Sequence, residues 1–412
     1  MTDPTGRSFL SYRRKFAKDA ELLIAAQHDV GIPTWRDVEN LYEDPTEDEI
    51  RRVVQHPQTA NAILWLTPDV GDASDILKAE VRLALDRSRQ DDGFFVIPAT
   101  ARGLTYSQVD TVLGPEITSE LLRSWNLVAM GDGPIGPRDA AEIAGRVLRR
   151  RTEEIHKALP SGEPLRIALY TREKPPFRPG EIALSLDWHR RFEGREARSG
   201  AWEEALLPAI QRVAREVAER APGRSVQAEG LAALPAAVAL GCAFLATRKI
   251  PISWLQHMAE DSSEQLWSLK AQREPSGFEG TMRSHDDKGQ DLAILVSVTD
   301  DVRPSFNRSM RDLPAFRSLV FVGAEKEFPC TIPTAGQALD VARTVVETIK
   351  KARRAYAETE LGDIHLFMAV PAGLAMLVGQ LLNTLGTVQT YECVGPKATG
   401  RYRPAARLYP NQ

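Results

Sequence analysis

At 412 residues, with 43% hydrophobic and 26% charged side chains, the chain exceeds what one hydrophobic core organises, and its composition excludes extended disorder and fibrous classes. The net charge of −4 hides an acidic first part, with 18 basic and 24 acidic side chains in residues 1–150 against 34 and 32 in the remainder. That balance excludes a nonspecific duplex-binding surface but leaves room for a small anionic ligand held by a few placed cations.

In chain order, SFLSY (8–12) reads as a strand, Lys15 to Val30 as a helix, AILWLT (62–67) as a strand, and 75–89 as a helix. GFFVIPA (93–99) and WNLVAM (125–130) follow as strands, and 140–151 as the closing helix. This alternation predicts a flavodoxin-like parallel sheet wrapped by helices. The turn-forming Pro160, Ser161, Gly162 and Pro164 set a linker at 155–164, dividing residues 1–154 from 165–412. Beyond it a weak repeat is visible, about 165–260 and 285–412. Each copy holds a first strand (165–171; 291–299), a long helix (202–221; 336–358), a small-residue helix with one glycine (Gly241; Gly379) and a short strand. A further strand is expected at 318–324, and the polar segment 273–291 reads as an exposed connection. Two α/β halves of this kind should form a shared pocket beyond the carboxyl ends of their strands.

The start MTDPTGRSFLSYRR lacks the apolar core of a signal peptide, and no run approaches the roughly 18 apolar residues of a membrane span, which points to the cytoplasm. Cys242, Cys330 and Cys393 are isolated, so they are expected to be buried small apolar residues, with neither disulfide nor zinc. His189, His257, His285 and His365 lack metal-ligand spacing, and no metal is expected. The absence of GxGxxG and GxxxxGK[ST] in the first 150 residues argues against a bound hydride-transfer cofactor. No cofactor is expected.

The boxes FLSYRR (9–14), GIPTWRD (31–37), AILWLTPD (62–69), SDILKAEV (74–81) and FVIPAT (95–100) resemble, in order and spacing, those of TIR domains. HLFMAVPAGLAMLVGQLL (365–382), VQTYEC (388–393) and RYRPAARL (401–408) resemble the SAVED domain of bacterial anti-phage effectors, built of two fused Rossmann-like halves. Together they resemble the TIR-SAVED effectors of cyclic-oligonucleotide (CBASS) signalling. The resemblance implies that nucleotide binding, with a cyclic trinucleotide such as cyclic tri-adenylate as the activator, drives head-to-tail self-association or filament formation. NAD would then be cleaved as a substrate.

The same resemblance makes Glu80 the catalytic carboxylate, against the alternative of a solvated helix residue. Ser11, Tyr12 and Arg13, ending the first strand, are candidates for holding NAD, as are Trp35, Arg36 and Asp37 in the loop after the second; Asp37 serves equally as a helix N-cap. For the cyclic nucleotide, Thr171, Arg172, Lys174 and Thr299 follow the two first strands. Pro371, Ala372 and Gly373 offer helix-start amides, Tyr391 and Tyr402 offer rings for stacking, and Arg403 belongs to a late basic run. A non-catalytic TIR scaffold controlled by nucleotide binding is the alternative, and it does not require Glu80.

Overall fold

The computed structural model describes residues 1–35, 47–68, 75–114, 119, 128–248, 250–258, 263–324, 328–356 and 361–410. By internal contacts the chain forms two compact units, one of residues 1–167, 176–186 and 215–222, the other of 168–175, 187–214 and 223–412.

The first unit begins with β1 (Arg7–Ser11), α1 (Ala17–Asp29), β2 (Thr34–Trp35), α2 (Glu47–Gln55) and β3 (Thr59–Leu66). It continues with α3 (Asp75–Gln90), β4 (Phe95–Thr100), α4 (Tyr106–Leu113), β5 (Val128–Ala129) and α5 (Pro137–Ala158). All eight residues of β3 are buried, as a strand covered on both faces requires. Val81, Ala84 and Leu85 of α3 fall three and four residues apart, on one buried stripe against the sheet. The sheet order is β2-β1-β3-β4-β5 with every recorded pairing parallel, the flavodoxin-like order expected from the alternation of elements. Only the end of the expected strand 125–130 is β5, and residues 125–127 lie outside the described residues. Helix α5 runs through Ala158, so residues 155–158 of the expected linker are its last turn. Arg151 on this helix is fully buried and donates to the carbonyls of Thr5, Gly6 and Ala183, tying the helix to the chain entering β1.

Strands β6 (Leu165–Tyr170), β7 (Leu184–Asp187), β8 (Phe192–Glu193) and β9 (Glu196–Ala197) follow, then α6 (Leu207–Arg220), β10 (Val226–Glu229) and α7 (Leu234–Ala243). After these come β11 (Ile252–His257), β12 (Glu264–Ser268), β13 (Phe278–Ser284), β14 (Asp291–Ser297), α8 (Arg303–Ser309) and β15 (Phe316–Ala324). The chain closes with α9 (Ala335–Ala355), β16 (Ile364–Ala369), α10 (Ala372–Gln380), β17 (Val388–Val394) and β18 (Arg401–Leu408). Two large sheets result, ordered β12-β11-β10-β6-β7 and β13-β15-β14-β16-β17-β18, and β8 pairs antiparallel with β9 in a small two-stranded one. Each large sheet ends in an antiparallel hairpin, β11–β12 in one and β17–β18 in the other, beside parallel strands. Reading β6, β10, β11 and β12 against β14, β16, β17 and β18 superposes one order on the other.

The segment 273–291, expected to be a connection, contains β13, an edge strand paired antiparallel to β15. Most of its side chains are exposed, so it lacks the apolar alternation that reveals a half-buried strand. The three cysteines are half-buried and free rather than fully buried. Among the described residues no helix is long and apolar enough to cross a membrane.

The small-residue helices meet in the second unit. A Cβ on Gly241 of α7 would lie 2.1 Å from the carbonyl oxygen of Met376, and one on Gly379 of α10 would lie 2.2 Å from that of Val238. The two helices therefore cross backbone against backbone, and a side chain at either glycine is excluded.

Candidate functional site

Two sets of polar side chains stand at the carboxyl ends of parallel strands. In the first unit, Ser11 ends β1 and is 2% exposed, and its hydroxyl donates to Oε2 of Glu80, half-buried on α3. Strands β1 and β3 are sheet neighbours whose following helices, α1 and α3, leave in different directions in the order 2-1-3, so this is the switch point where such sheets open a crevice. Tyr12 and Arg13 follow immediately, both half-buried and both engaged in contacts.

Trp35 is not in the loop after β2. It is the last residue of that strand, 8% exposed and stacked on Phe9 with ring centroids 5.5 Å apart, which makes it core. Arg36 and Asp37 lie outside the described residues. The sequence reading passed over a half-buried ion pair at the same end of the sheet: Arg102, after β4, donates to both carboxylate oxygens of the buried Asp19 on α1 at 3.1–3.3 Å and lies over the Phe16 ring. Arg102 has a positive φ of 57°, an uncommon backbone state for a residue with a side chain.

The second unit holds a cavity of about 590 Å³ at the carboxyl ends of β14, β16 and β17. That is the size range of small-ligand sites. Arg172, Thr299, Ala372, Tyr391 and Tyr402 line it; Thr171, Lys174, Pro371, Gly373 and Arg403 do not. Each of the five has a visible reason. Thr171 is fully buried, its hydroxyl accepting from the Ala233 amide at 2.8 Å, and it anchors the loop that carries Ala232 and Leu234 to the cavity wall. Lys174 and Arg403 are exposed outside the lining, and Pro371 serves as the N-cap residue of α10. The Gly373 amide donates to Gln256 Oε1 at 3.3 Å, and a Cβ there would strike Trp254 and Trp267, so this glycine serves packing.

Tyr391 and Tyr402 border the cavity, but their rings belong to the core. Tyr391 is 5% exposed, stacked on Phe367 at 4.3 Å with its hydroxyl 2.8 Å from His365 Nδ1, and Tyr402 meets Phe367 edge-on at 5.1 Å. Burial pushes both phenols upward, so they remain neutral wall groups.

The reading from sequence missed Arg195, Glu392 and Lys397 on this wall. Lys397 pairs with Asp300 at 3.0 Å. Glu392, on β17, has Oε1 3.8 Å from Arg172 Nη2, and its carboxyl lies near the backbone amide of Leu234, the first residue of α7. Oε2 is buried with no hydrogen-bond partner among the described atoms. Burial pushes this carboxyl up from 4.5 to about 7, opposed by the charges of Arg172 and Arg195 and by the Leu234 amide.

A stability consequence follows from the sign of that shift. Between 4.5 and about 7 the folded chain holds a proton that the unfolded chain releases, so stability from this group is full at low pH and is lost as pH rises through the window. Glu392→Gln cannot titrate. Its unfolding midpoint, measured by calorimetry, should gain on wild type between about pH 5 and pH 8, by the equivalent of about 3 kcal/mol at most.

Among the described residues no three His, Cys, Asp or Glu side chains gather as metal ligands would. A cavity at strand carboxyl ends, walled by placed cations and one buried carboxyl, defines a small-ligand-binding α/β unit. Residues 209–408 match the SAVED family, the SMODS-associated and fused to various effectors sensor domain, and this part of the chain is a SAVED domain. No curated protein sequence matches the chain. Among solved structures it is similar to the Acinetobacter baumannii Cap4 SAVED/CARF-domain containing receptor with the cyclic trinucleotide 3'3'3'-cAAA, at 17% identity over 88% of this chain and 85% of that one, TM-score 0.48. It is also similar to the Moraxella osloensis Cap4 SAVED/CARF-domain containing receptor, at 15% identity over 98% and 86%, TM-score 0.43.

Proposed function

We propose that the SAVED cavity binds a cyclic oligonucleotide and that binding switches on cleavage of NAD to nicotinamide and ADP-ribose by the first unit, a TIR domain, in CBASS-type anti-phage defence. The observation that carries the reading is the cavity wall: Arg172 and Arg195 stand where a ring's phosphates need cations, at the strand ends of a sensor domain.

For the first unit the support is the Ser11–Glu80 contact at the switch point of its sheet. The departing nicotinamide already carries the positive charge and leaves neutral, so the reaction needs little acid catalysis. The bond between ribose C1′ and the ring nitrogen breaks with its electron pair going to nicotinamide. Charge develops on the ribose, water adds there and releases a proton, and a fixed carboxylate stabilises the developing charge. Ser11 donates to that carboxylate and fixes its position at the end of β1. Ligand can activate only by binding the competent arrangement better than the idle one, and head-to-tail association of chains is the arrangement we propose.

The test is nicotinamide release by the purified chain with and without cyclic di-, tri- and tetranucleotides, together with direct binding. Release appearing with one ring supports the reading. Binding without release moves the first unit to the scaffold role, and no binding of any ring overturns the sensor assignment. Arg172→Ala should weaken the effective ring by about ten- to a hundredfold, the size of one lost charge-assisted contact.

A further inference from the structure

Strand β13 is the outer strand of its sheet, paired with β15 on one side and open on the other among the described residues. Which backbone groups face the open side follows from its hydrogen bonds. The His285 amide donates to the Arg317 carbonyl at 3.1 Å and the Ser318 hydroxyl donates to the Arg283 carbonyl at 2.8 Å, so the odd-numbered residues turn their backbone toward β15. The Phe278 amide faces the other way and is taken by the Ser276 hydroxyl at 3.3 Å. Gly280, Met282 and Ser284 therefore present their N–H and C=O groups at the edge. A free edge invites a further strand, and its side chains decide which strand is admitted. Glu279 and Arg283 are both exposed, placed symmetrically about Thr281, and neither side chain has an ion-pair partner among the described residues. Met282, on the opposite face of the strand, is a large apolar side chain left 36% exposed.

We propose that β13 is a self-complementary docking edge, on which a second copy of this chain adds its own β13 antiparallel across a two-fold axis at Thr281. In that register Glu279 of each copy stands opposite Arg283 of the other, in the non-hydrogen-bonded pairs where side chains lie closest. Gly280 stands opposite Met282, and this pair exchanges both backbone hydrogen bonds because both residues turn their backbone outward. The exposed Met282 side chain then lies beside a glycine, which has no side chain to obstruct it. Slipping the register by two residues sets Arg283 opposite Gly277 or Thr281 and leaves its charge unmatched, while parallel pairing sets like charges side by side. The charges that blunt this edge against other strands therefore fit a copy of itself. On the α8 face Thr281 and Arg283 border an open groove of about 470 Å³ that Leu319 and Phe321 also line, and pairing brings the two grooves together across the axis. The contact is closed and needs no nucleotide, so it is separate from the head-to-tail association proposed above.

The experiment is analytical ultracentrifugation of the full chain without nucleotide, from about 1 to 100 μM, so that its outcome does not depend on what the cavity binds. Wild type should show a reversible dimer within that range. Glu279→Arg and Arg283→Glu each set like charges at both ends of the paired strands and should weaken the dimer by about ten- to a hundredfold. Combining the two restores opposite charges and should restore the dimer, which separates a lost contact from a misfolded variant. The register is read by cross-linking, with wild type as the control for the three native cysteines. Thr281→Cys, directly opposite its own copy, should form a disulfide-linked dimer under mild oxidation, whereas Ser284→Cys, opposite Phe278, should not. A chain that stays monomeric throughout overturns the proposal, as does a dimer that neither single reversal weakens or that the double reversal fails to rescue. Cross-linking of Ser284→Cys as readily as Thr281→Cys, or of neither, overturns it too.

Discussion

Glu80→Gln is expected to lower nicotinamide release by about 10²–10³-fold while leaving ring binding to the SAVED cavity unchanged. The substitution keeps size and hydrogen-bonding reach but removes the charge that, in the proposed reaction, faces the developing cation on the ribose. The Ser11 hydroxyl can still donate to the amide oxygen, so fold and local geometry are preserved. The check is a paired measurement, release at saturating activator and ring affinity by calorimetry. Undiminished release refutes the role of Glu80. A parallel loss of ring binding assigns the effect to folding. Ser11→Ala offers a graded companion: with its carboxylate one donor poorer, release should fall by about ten- to a hundredfold.

Gly241→Ala carries the largest expected cost in stability. The added methyl would sit 2.1 Å from the Met376 carbonyl oxygen and 2.9 Å from the Gln380 amide nitrogen, both backbone atoms of α10 that no side-chain rotation can move aside. The helices must separate, and the close contact between α7 and α10 loosens along its length. Overpacking of this kind costs about 3 kcal/mol, which for a unit of this size lowers the unfolding midpoint by about 6–12 °C. Scanning calorimetry reads it directly, and a midpoint within a degree of wild type would refute the close crossing. Gly379→Ala should behave alike, since its methyl would meet the Val238 carbonyl oxygen at 2.2 Å. Because Leu234 and Ala372 begin these helices on the cavity wall, both variants should also bind the ring more weakly.

Local pattern determined much of this protein. The alternation of apolar runs with helical stripes marked β1, β3, β4, α1, α3 and α5 in sequence, because a doubly covered strand and a half-covered helix leave different periodicities. The glycine-bearing small-residue helices and the first strand of each half were likewise legible, as were Arg172 and Thr299, since a residue following a buried parallel strand stands at the end of the sheet where ligands bind. Edge strand β13 was not legible, because its exposed polar side chains carry no apolar alternation.

Tertiary structure decided the rest. The contact of Ser11 with Glu80 spans 69 residues and depends on which strands become neighbours. Trp35, Tyr391 and Tyr402 look like stacking platforms in sequence, but what packs around a ring decides whether it is wall or core. Glu392 had no signature at all, an acidic residue in a strand beside a basic tail. Its burial, its spare oxygen and the two arginines that face it arise only when the start of α7 from one half is brought against β17 of the other, because a carboxyl's protonation is set by its surroundings and not by its neighbours in the chain.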